Sequence, residues 1–179
     1  MRTDTSGTGA AADVVIRRAD PSQWAACRRV RLAALADAPD AFSSTLEREL
    51  AFDEQAWRQR LASGATFLAW QDGEPVGTAS GVAADLDPEH AVPGSRQLVG
   101  MWVDPAVRGL RVADRLVEAV AAEAKAQGAA RLVLWVTDVN GRARAFYQRM
   151  GFRPTGVRDL VRPDQPDRWE EQLIRDLSC

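Results

Sequence analysis

Two stretches of the 179-residue sequence bring together residue types that could do chemistry. The first is VDPAVRGLRVA, residues 103–113, which leaves an apolar run at Asp104–Pro105, crosses a basic loop and enters a helical pattern. The first amides of a helix have no intrahelical acceptor, and the helix start carries about half a positive charge, so such a junction can cradle a phosphate. Pro105 disfavours continuation of the strand, Gly109 permits close approach, and Arg108 and Arg111 add charge. Taken alone, the same residues serve equally well as a plain strand-to-helix connection. The second stretch is NGRARAFYQRM, residues 140–150. With 141–150 helical, Asn140, Ala143 or Arg144, and Tyr147 share one face, while Phe146 and Met150 point elsewhere. One end of that face carries a side-chain amide and the other the only tyrosine of the chain. Taken alone, this is a cap and a core aromatic.

The elements that must position these groups are legible from periodicity. VVIRRA from Val14 is a short β-rich run. SQWAACRRVRLAALADAP has helical spacing, with Trp24, Cys27, Val30 or Arg31, and Leu35 on one side and Ser22 as the expected N-cap. FDEQAWRQRLAS is expected as a second helix, with Ala56, Trp57, Arg60 and Leu61 on one face. ATFLAWQ and EPVGTASGVAAD flank the turn DGEP as a hairpin. RQLVGMWVD is a further strand. VADRLVEAVAAEAKAQG is the clearest helix, with Val112, Leu116, Val120 and Ala124 as its stripe and Gly128 placed to end it. RLVLWVTD reads as a strand buried on both faces. A short helix follows Asn140 and stops at Gly151, and the tail supplies two more extended runs. The order is mixed α/β with its parallel crossover late in the chain.

Composition removes several function classes. The chain has 46% hydrophobic and 27% charged residues and a net charge of −2, an ordinary globular balance that argues against a general nucleic-acid binder. No apolar run reaches the roughly 18 residues that span a bilayer, and the start lacks a secretory apolar segment, so the expected location is the cytoplasm. Residues 1–13 read as a flexible polar tail and 14–179 as one domain. Cys27 and Cys179 make neither a disulfide framework nor a metal cluster, and no metal site is expected. The single histidine, His90, lies in the Pro/Gly-rich acidic loop DLDPEHAVPG and reads as a solvated loop residue.

In this order and spacing, the two chemical stretches together resemble the GNAT superfamily of acyl-CoA-dependent N-acyltransferases. That family's pattern of V-x-P followed by R/Q-x-x-G-x-G/A is met by VDPAVRGLRVA. Its pattern N-x-x-A-x-x-x-Y-x-x-x-G-F, or a close variant, is met by NGRARAFYQRMGF. The resemblance covers essentially residues 14–177, with its specific part at 98–152. It implies a mixed central sheet of about six to seven strands with about four helices, whose central strands splay apart around the cofactor arm. It also implies acetyl-CoA as co-substrate and an amine as acceptor. The amides of Arg108, Gly109, Leu110, Arg111, Val112 and Ala113 would then cradle the pyrophosphate. The Met101–Trp102–Val103 segment would pair its backbone with the pantetheine arm, Asn140 would contact the same arm, and Tyr147 would sit near the thioester sulfur. A homodimer is compatible with the fold, but no residue points to its surface.

Arg111 departs from the pattern by replacing the middle glycine. If that position needs positive φ, the cost is on the order of 1 kcal/mol. In ordinary helical geometry its guanidinium is instead free to reach a phosphate. The acceptor chemistry is open as well. A lysine-like amine of pKa about 10.4 must give up about 4.6 kcal/mol to be neutral at pH 7, and one near 8 far less. The strand RQLVGMWV carries no Glu, so a base would come from Glu47 or Glu49, from Asp85 or Asp87, or from a water chain. Tyr147 is the only phenol able to assist the leaving thiolate, chiefly as a hydrogen-bond donor, because protonating a thiolate of pKa about 8.5 from a phenol near 10 is uphill by about 2 kcal/mol. The acceptor pocket is expected between the two early helices, their acidic connection, the hairpin and the His90 loop. Trp102 and Trp135 are expected in the core, and Trp24 and Trp57 within reach of the cleft. A catalytically silent acyl-CoA-binding module on the same fold is the alternative.

Overall fold

A computed structural model describes residues 13–83 and 90–177. The expected tail, apart from Asp13, lies outside the described residues, as do the candidate bases Asp85 and Asp87, and Cys179. The strands are β1 (Val15–Arg18), β2 (Ala65–Gln71), β3 (Glu74–Ala83), β4 (Ser95–Val103), β5 (Arg131–Thr137), β6 (Arg153–Leu160) and β7 (Trp169–Asp176). The helices are α1 (Trp24–Asp37), α2 (Leu46–Leu50), α3 (Glu54–Ser63), α4 (Val112–Ala126) and α5 (Gly141–Arg149). The strands form one mixed sheet in the order β1-β2-β3-β4-β5-β7-β6. Every neighbouring pair is antiparallel except β4 and β5, which α4 joins in the parallel sense.

That one parallel pair opens the sheet. Pairing of β4 with β5 is confined to Ser95–Gln97 against Arg131–Val133. Beyond it the two strands diverge, so one edge of β4 faces a gap instead of a ladder. β4 also carries a bulge. Thr78 pairs with Trp102 but Ser80 with Val99, which leaves Gly100 and Met101 together opposite Ala79. Gly100 has φ +65°, a conformation that a side chain would make costly.

The core lies in two layers. On one face α4 and α5 cover Ala69, Ala79, Leu98, Val103, Leu132 and Leu134, with Leu116, Val120 and Tyr147 among the buried helix residues. On the other, α1 and α3 bury Cys27, Val30, Ala34 and Leu61 against Leu68 and Trp102. The expected stripe of α4 is buried, and Val117 and Ala121 widen it. The helix ends as expected at Gly128, whose φ is +82°. Asn140 caps α5 by accepting from the Ala143 amide at 3.0 Å.

Two local readings need correction. Asp20, not Ser22, caps the first helical segment; it accepts from the Ser22 amide at 2.7 Å and begins a 3₁₀ turn over Pro21–Gln23 that leads into α1. The aspartate carboxylate is the stronger acceptor, and Pro21 suits the first position of the turn. α2 was not anticipated. Five residues are too short for a periodic signal, but Thr45 caps them through the Arg48 amide at 3.2 Å.

Candidate functional site

The backbone at the start of α4 forms a cradle of unpaired amides. Asp104 caps a 3₁₀ turn by accepting from the Ala106 amide at 2.8 Å, and this turns the chain out of β4. Gly109 and Arg111 both take positive φ, +94° and +57°, so the backbone folds over itself before α4 begins. Arg108 and Leu110 spend their amides on the carbonyls of Pro105 and Val107. The first intrahelical bond is from the Arg115 amide to the Arg111 carbonyl. The amides of Gly109, Arg111, Val112, Ala113 and Asp114 meet no acceptor among the described residues. The expected run is thus divided, with Leu110 half exposed and pointing away from the groove.

The two arginines behave differently. Arg108 lays its guanidinium back onto the protein: Nε donates to the Val103 carbonyl at 3.0 Å and Nη2 to Asp37 Oδ2 at 2.5 Å. Trp102 Nε1 donates to the same carboxylate at 2.9 Å. The Trp102 indole and the Arg108 guanidinium hold the Asp37 carboxyl below the usual carboxylate range. This hook ties the end of α1 to the end of β4 and fixes the loop above it. Arg111 sits in the left-handed region with its side chain 83% exposed, 3.6 Å from Asp114. Of the two geometries open to it, the strained one is adopted.

A groove of about 1010 Å³ runs from this cradle along the free edge of β4 to α5. Met101, Trp102 and Val103 form one wall, Gly109, Arg111, Val112 and Ala113 the head, and Asn140, Phe146 and Tyr147 the opposite wall. Asn140 Oδ1 is engaged as a cap, which leaves its amide NH₂ as the available donor. Tyr147 is buried, edge-on to Phe146 and Phe152 at 5.1 and 5.7 Å between ring centres. Desolvation pushes its phenol well above the ordinary tyrosine value, so it stays protonated across the neutral range. Phe146, expected to point elsewhere, lines the groove.

A second cavity of about 200 Å³ opens where β4 and β5 diverge, and Met101, Asn140 and Tyr147 line both. Its walls are Arg31 of α1, Phe42 and Ser43 of the following connection, and Trp135 and Thr137 of β5, with Glu170 of β7 beside Thr137. Only some of the elements expected around an acceptor pocket reach this cavity. α1 and the connection line it; α3, the hairpin, Trp24 and Trp57 do not. Trp57 is buried against Phe52 and Arg60 instead. Trp135, expected in the core, faces this cavity and meets His90 edge-on at 5.5 Å. His90 is not a solvated loop residue; its Nδ1 lies 3.6 Å from Asp159 and its carbonyl accepts from Gln172 Nε2 at 2.9 Å.

Among the candidate bases, Glu47 is exposed. Glu49 is buried between Arg31, at 3.1 and 3.2 Å, and Arg60, at 2.7 Å. Burial pushes its carboxyl up, but the two guanidiniums outweigh this and hold it below the usual range, which suits a structural anion and not a base. Sequence reasoning missed Arg31, Thr137 and Glu170. Arg31 had a signal, as the alternative to Val30 on the α1 stripe; the structure uses both residues, one for core and one for cleft.

Comparison with known proteins follows the same outline. A family model described as the acetyltransferase (GNAT) family matches residues 31–152. A search of curated proteins finds no match. Among solved structures, an N-acetyltransferase from Staphylococcus aureus Mu50 superposes with a TM-score of 0.70 at 19% identity, covering 93% of this chain and 100% of that one. A GNAT-family acetyltransferase from Streptococcus pneumoniae gives 0.72 at 20% identity, with the same coverage. The PaiA N-acetyltransferase from Thermoplasma acidophilum, solved in complex with coenzyme A, gives 0.68 at 12% identity over 92% of this chain and 99% of that one. At such identities these likenesses speak for the fold.

Proposed function

The chain belongs to the GNAT family of acetyltransferases, and from that premise we propose that it moves an acetyl group from acetyl-CoA to a primary amine by direct attack in a ternary complex. The observation that carries this reading is one continuous groove that joins five acceptor-less amides at a helix start to a buried tyrosine. The cradle fits a diphosphate, since backbone donors at a helix N-terminus cost no reorganisation when an anion arrives. The free edge of β4 at Met101–Val103 suits the amide groups of the pantetheine arm, which extend the sheet where β5 has diverged. Asn140 offers its NH₂ to the same arm.

Acetyl-CoA supplies a thioester whose carbonyl carbon forms a C–N bond with the amine as its C–S bond breaks; the amine loses a proton and the departing sulfur gains one. The residues of this chain orient the partners and stabilise charge. The bulge at Gly100 turns the Met101 backbone towards the gap. Tyr147, kept protonated by burial, donates a hydrogen bond to the developing thiolate and is too weak an acid for early proton transfer. The acceptor reaches the site through the smaller cavity, whose junction with the groove is lined by Met101, Asn140 and Tyr147.

Calorimetric titration with acetyl-CoA, beside a pantetheine thioester lacking the pyrophosphate, tests the reading. Micromolar binding that weakens at least about a hundredfold for the fragment is expected if several charge-assisted backbone bonds hold the diphosphate. No binding at millimolar acetyl-CoA would overturn it. Binding without transfer to any amine would leave the silent binding module as the function.

A further inference from the structure

Two residues that line the smaller cavity, Arg31 and Thr137, each carry a buried polar atom with no partner. Arg31 Nη1 and Thr137 Oγ1 are shielded from solvent and meet no hydrogen-bond partner. Thr137 is 4% exposed and stands on β5, while Arg31 comes from α1. Nη1 lies over the bulge of β4, where a methyl built on Gly100 would be 3.9 Å away. Leaving such donors unpaired costs about 1–3 kcal/mol each, and more when charged. A molecule bringing oxygen acceptors into this cavity would remove both penalties.

The charge of the wall selects the kind of oxygen. Nε and Nη2 of Arg31 both donate to one oxygen of Glu49, and Arg60 takes the other. Two guanidiniums share one carboxylate, so the triad carries a net positive charge. Arg60 is 45% exposed and lies over the Phe52 and Trp57 rings, whereas the Arg31 side chain is only 17% exposed. Arg31 brings part of that charge to the cavity wall, where its guanidinium lies over the Phe42 ring at 4.6 Å. Glu170, cross-strand from Thr137, places a carboxylate on the same cavity and suits an ammonium.

Resting on the acetyl-transfer reading, we propose that the acceptor is a carboxylate-bearing primary amine, of which α-amino acids are the simplest. Arg31 Nη1 and Thr137 Oγ1 bind its carboxylate and Glu170 faces its amine. A phosphate monoester is a poorer fit, because two donors cannot serve its three oxygens. A polyamine meets the wrong charge at Arg31.

The test uses matched pairs, L-alanine with L-alaninamide and L-phenylalanine with L-phenylalaninamide, at saturating acetyl-CoA. The acids should exceed their amides in kcat/KM by at least about tenfold, the loss expected when a buried charged donor goes unpaired. The amides have the lower amine pKa, so the chemical bias runs against this result. Thr137→Val, which leaves the Arg31–Glu49–Arg60 triad intact, should lower the acid-to-amide ratio about fivefold or more through KM. Where turnover is too slow to read, calorimetric binding of each pair to the CoA-loaded protein gives the same ratio. Amides equal to or better than acids, or a ratio unmoved by Thr137→Val, would overturn the proposal. Failure of the acetyl-transfer reading would appear separately, as loss of acetyl-CoA binding before any acceptor is added.

Discussion

Replacing Arg111 with glycine tests how the cradle is built. Arg111 holds φ +57° and ψ +22° one residue before α4. An L-residue there costs roughly 1–2 kcal/mol, whereas glycine adopts it freely but loses about 0.5–1 kcal/mol of chain entropy on folding. The Asp114 contact at 3.6 Å is too exposed to add much. The balance favours Arg111→Gly by about 0.5–1 kcal/mol, which for a chain of this size raises Tm by about 1–4 °C. Arg111→Ala keeps the strain and removes only the charge, so it should melt near wild type. Thermal unfolding of the three proteins without ligand reads the strain directly. Titration with acetyl-CoA at low and physiological salt then reads the charge, and the side chain, 83% exposed, should account for no more than about fivefold at 0.15 M salt. A glycine variant that melts at or below the alanine variant would refute the account of a strained junction.

Other outcomes follow from the same geometry. Tyr147→Phe should lower kcat at least about tenfold while acetyl-CoA affinity stays within a few-fold, because only the donor to the leaving sulfur is lost; an unchanged kcat would remove Tyr147 from the mechanism. Asp37→Ala should cost about 1–3 kcal/mol, since it leaves the buried Trp102 indole unpaired, and should weaken acetyl-CoA by releasing Arg108; Asp37→Asn, which keeps an acceptor, should restore most of the stability. Glu49→Ala should destabilise by about 3 kcal/mol at pH 7 in urea unfolding. Glu49 has its folded pKa lowered, so its contribution is complete above the unfolded value of 4.5 and is lost as pH falls through the folded one. The gap between wild type and Glu49→Ala should therefore narrow only below about pH 4.5; a gap that narrows near neutrality would contradict the assignment.

Local pattern made the scaffold legible, and long-range pairing hid much of the site. The stripe of α4, the Asn140 cap and the tight turn between β2 and β3 each depend on residues a few positions apart. The pairing of Asp37 with Trp102 and Arg108 joins residues 65 and 71 positions apart and leaves no local trace. Glu49 reads as a free acid in LEREL because Arg31 and Arg60 reach it only after α1 and α3 pack together. Thr137 reads as one more β-branched strand residue. Only the divergence of β4 from β5 turns its hydroxyl into part of a cleft wall.

The extra residue in β4 breaks the two-residue rhythm by which a strand sorts its side chains. Side chains alternate between faces with a period of two, yet Leu98 and Val103, an odd number of positions apart, both enter the α4 layer. Trp102 enters the α1 layer. The bulge acts on the fold as a frameshift acts on a message, inverting the phase of everything after it. Deleting Gly100 would bring Leu98 and Val103 to an even spacing and leave Trp102 and Val103 on their present faces, so the extra residue reshapes the strand edge at the gap without moving the core residues on either side of it.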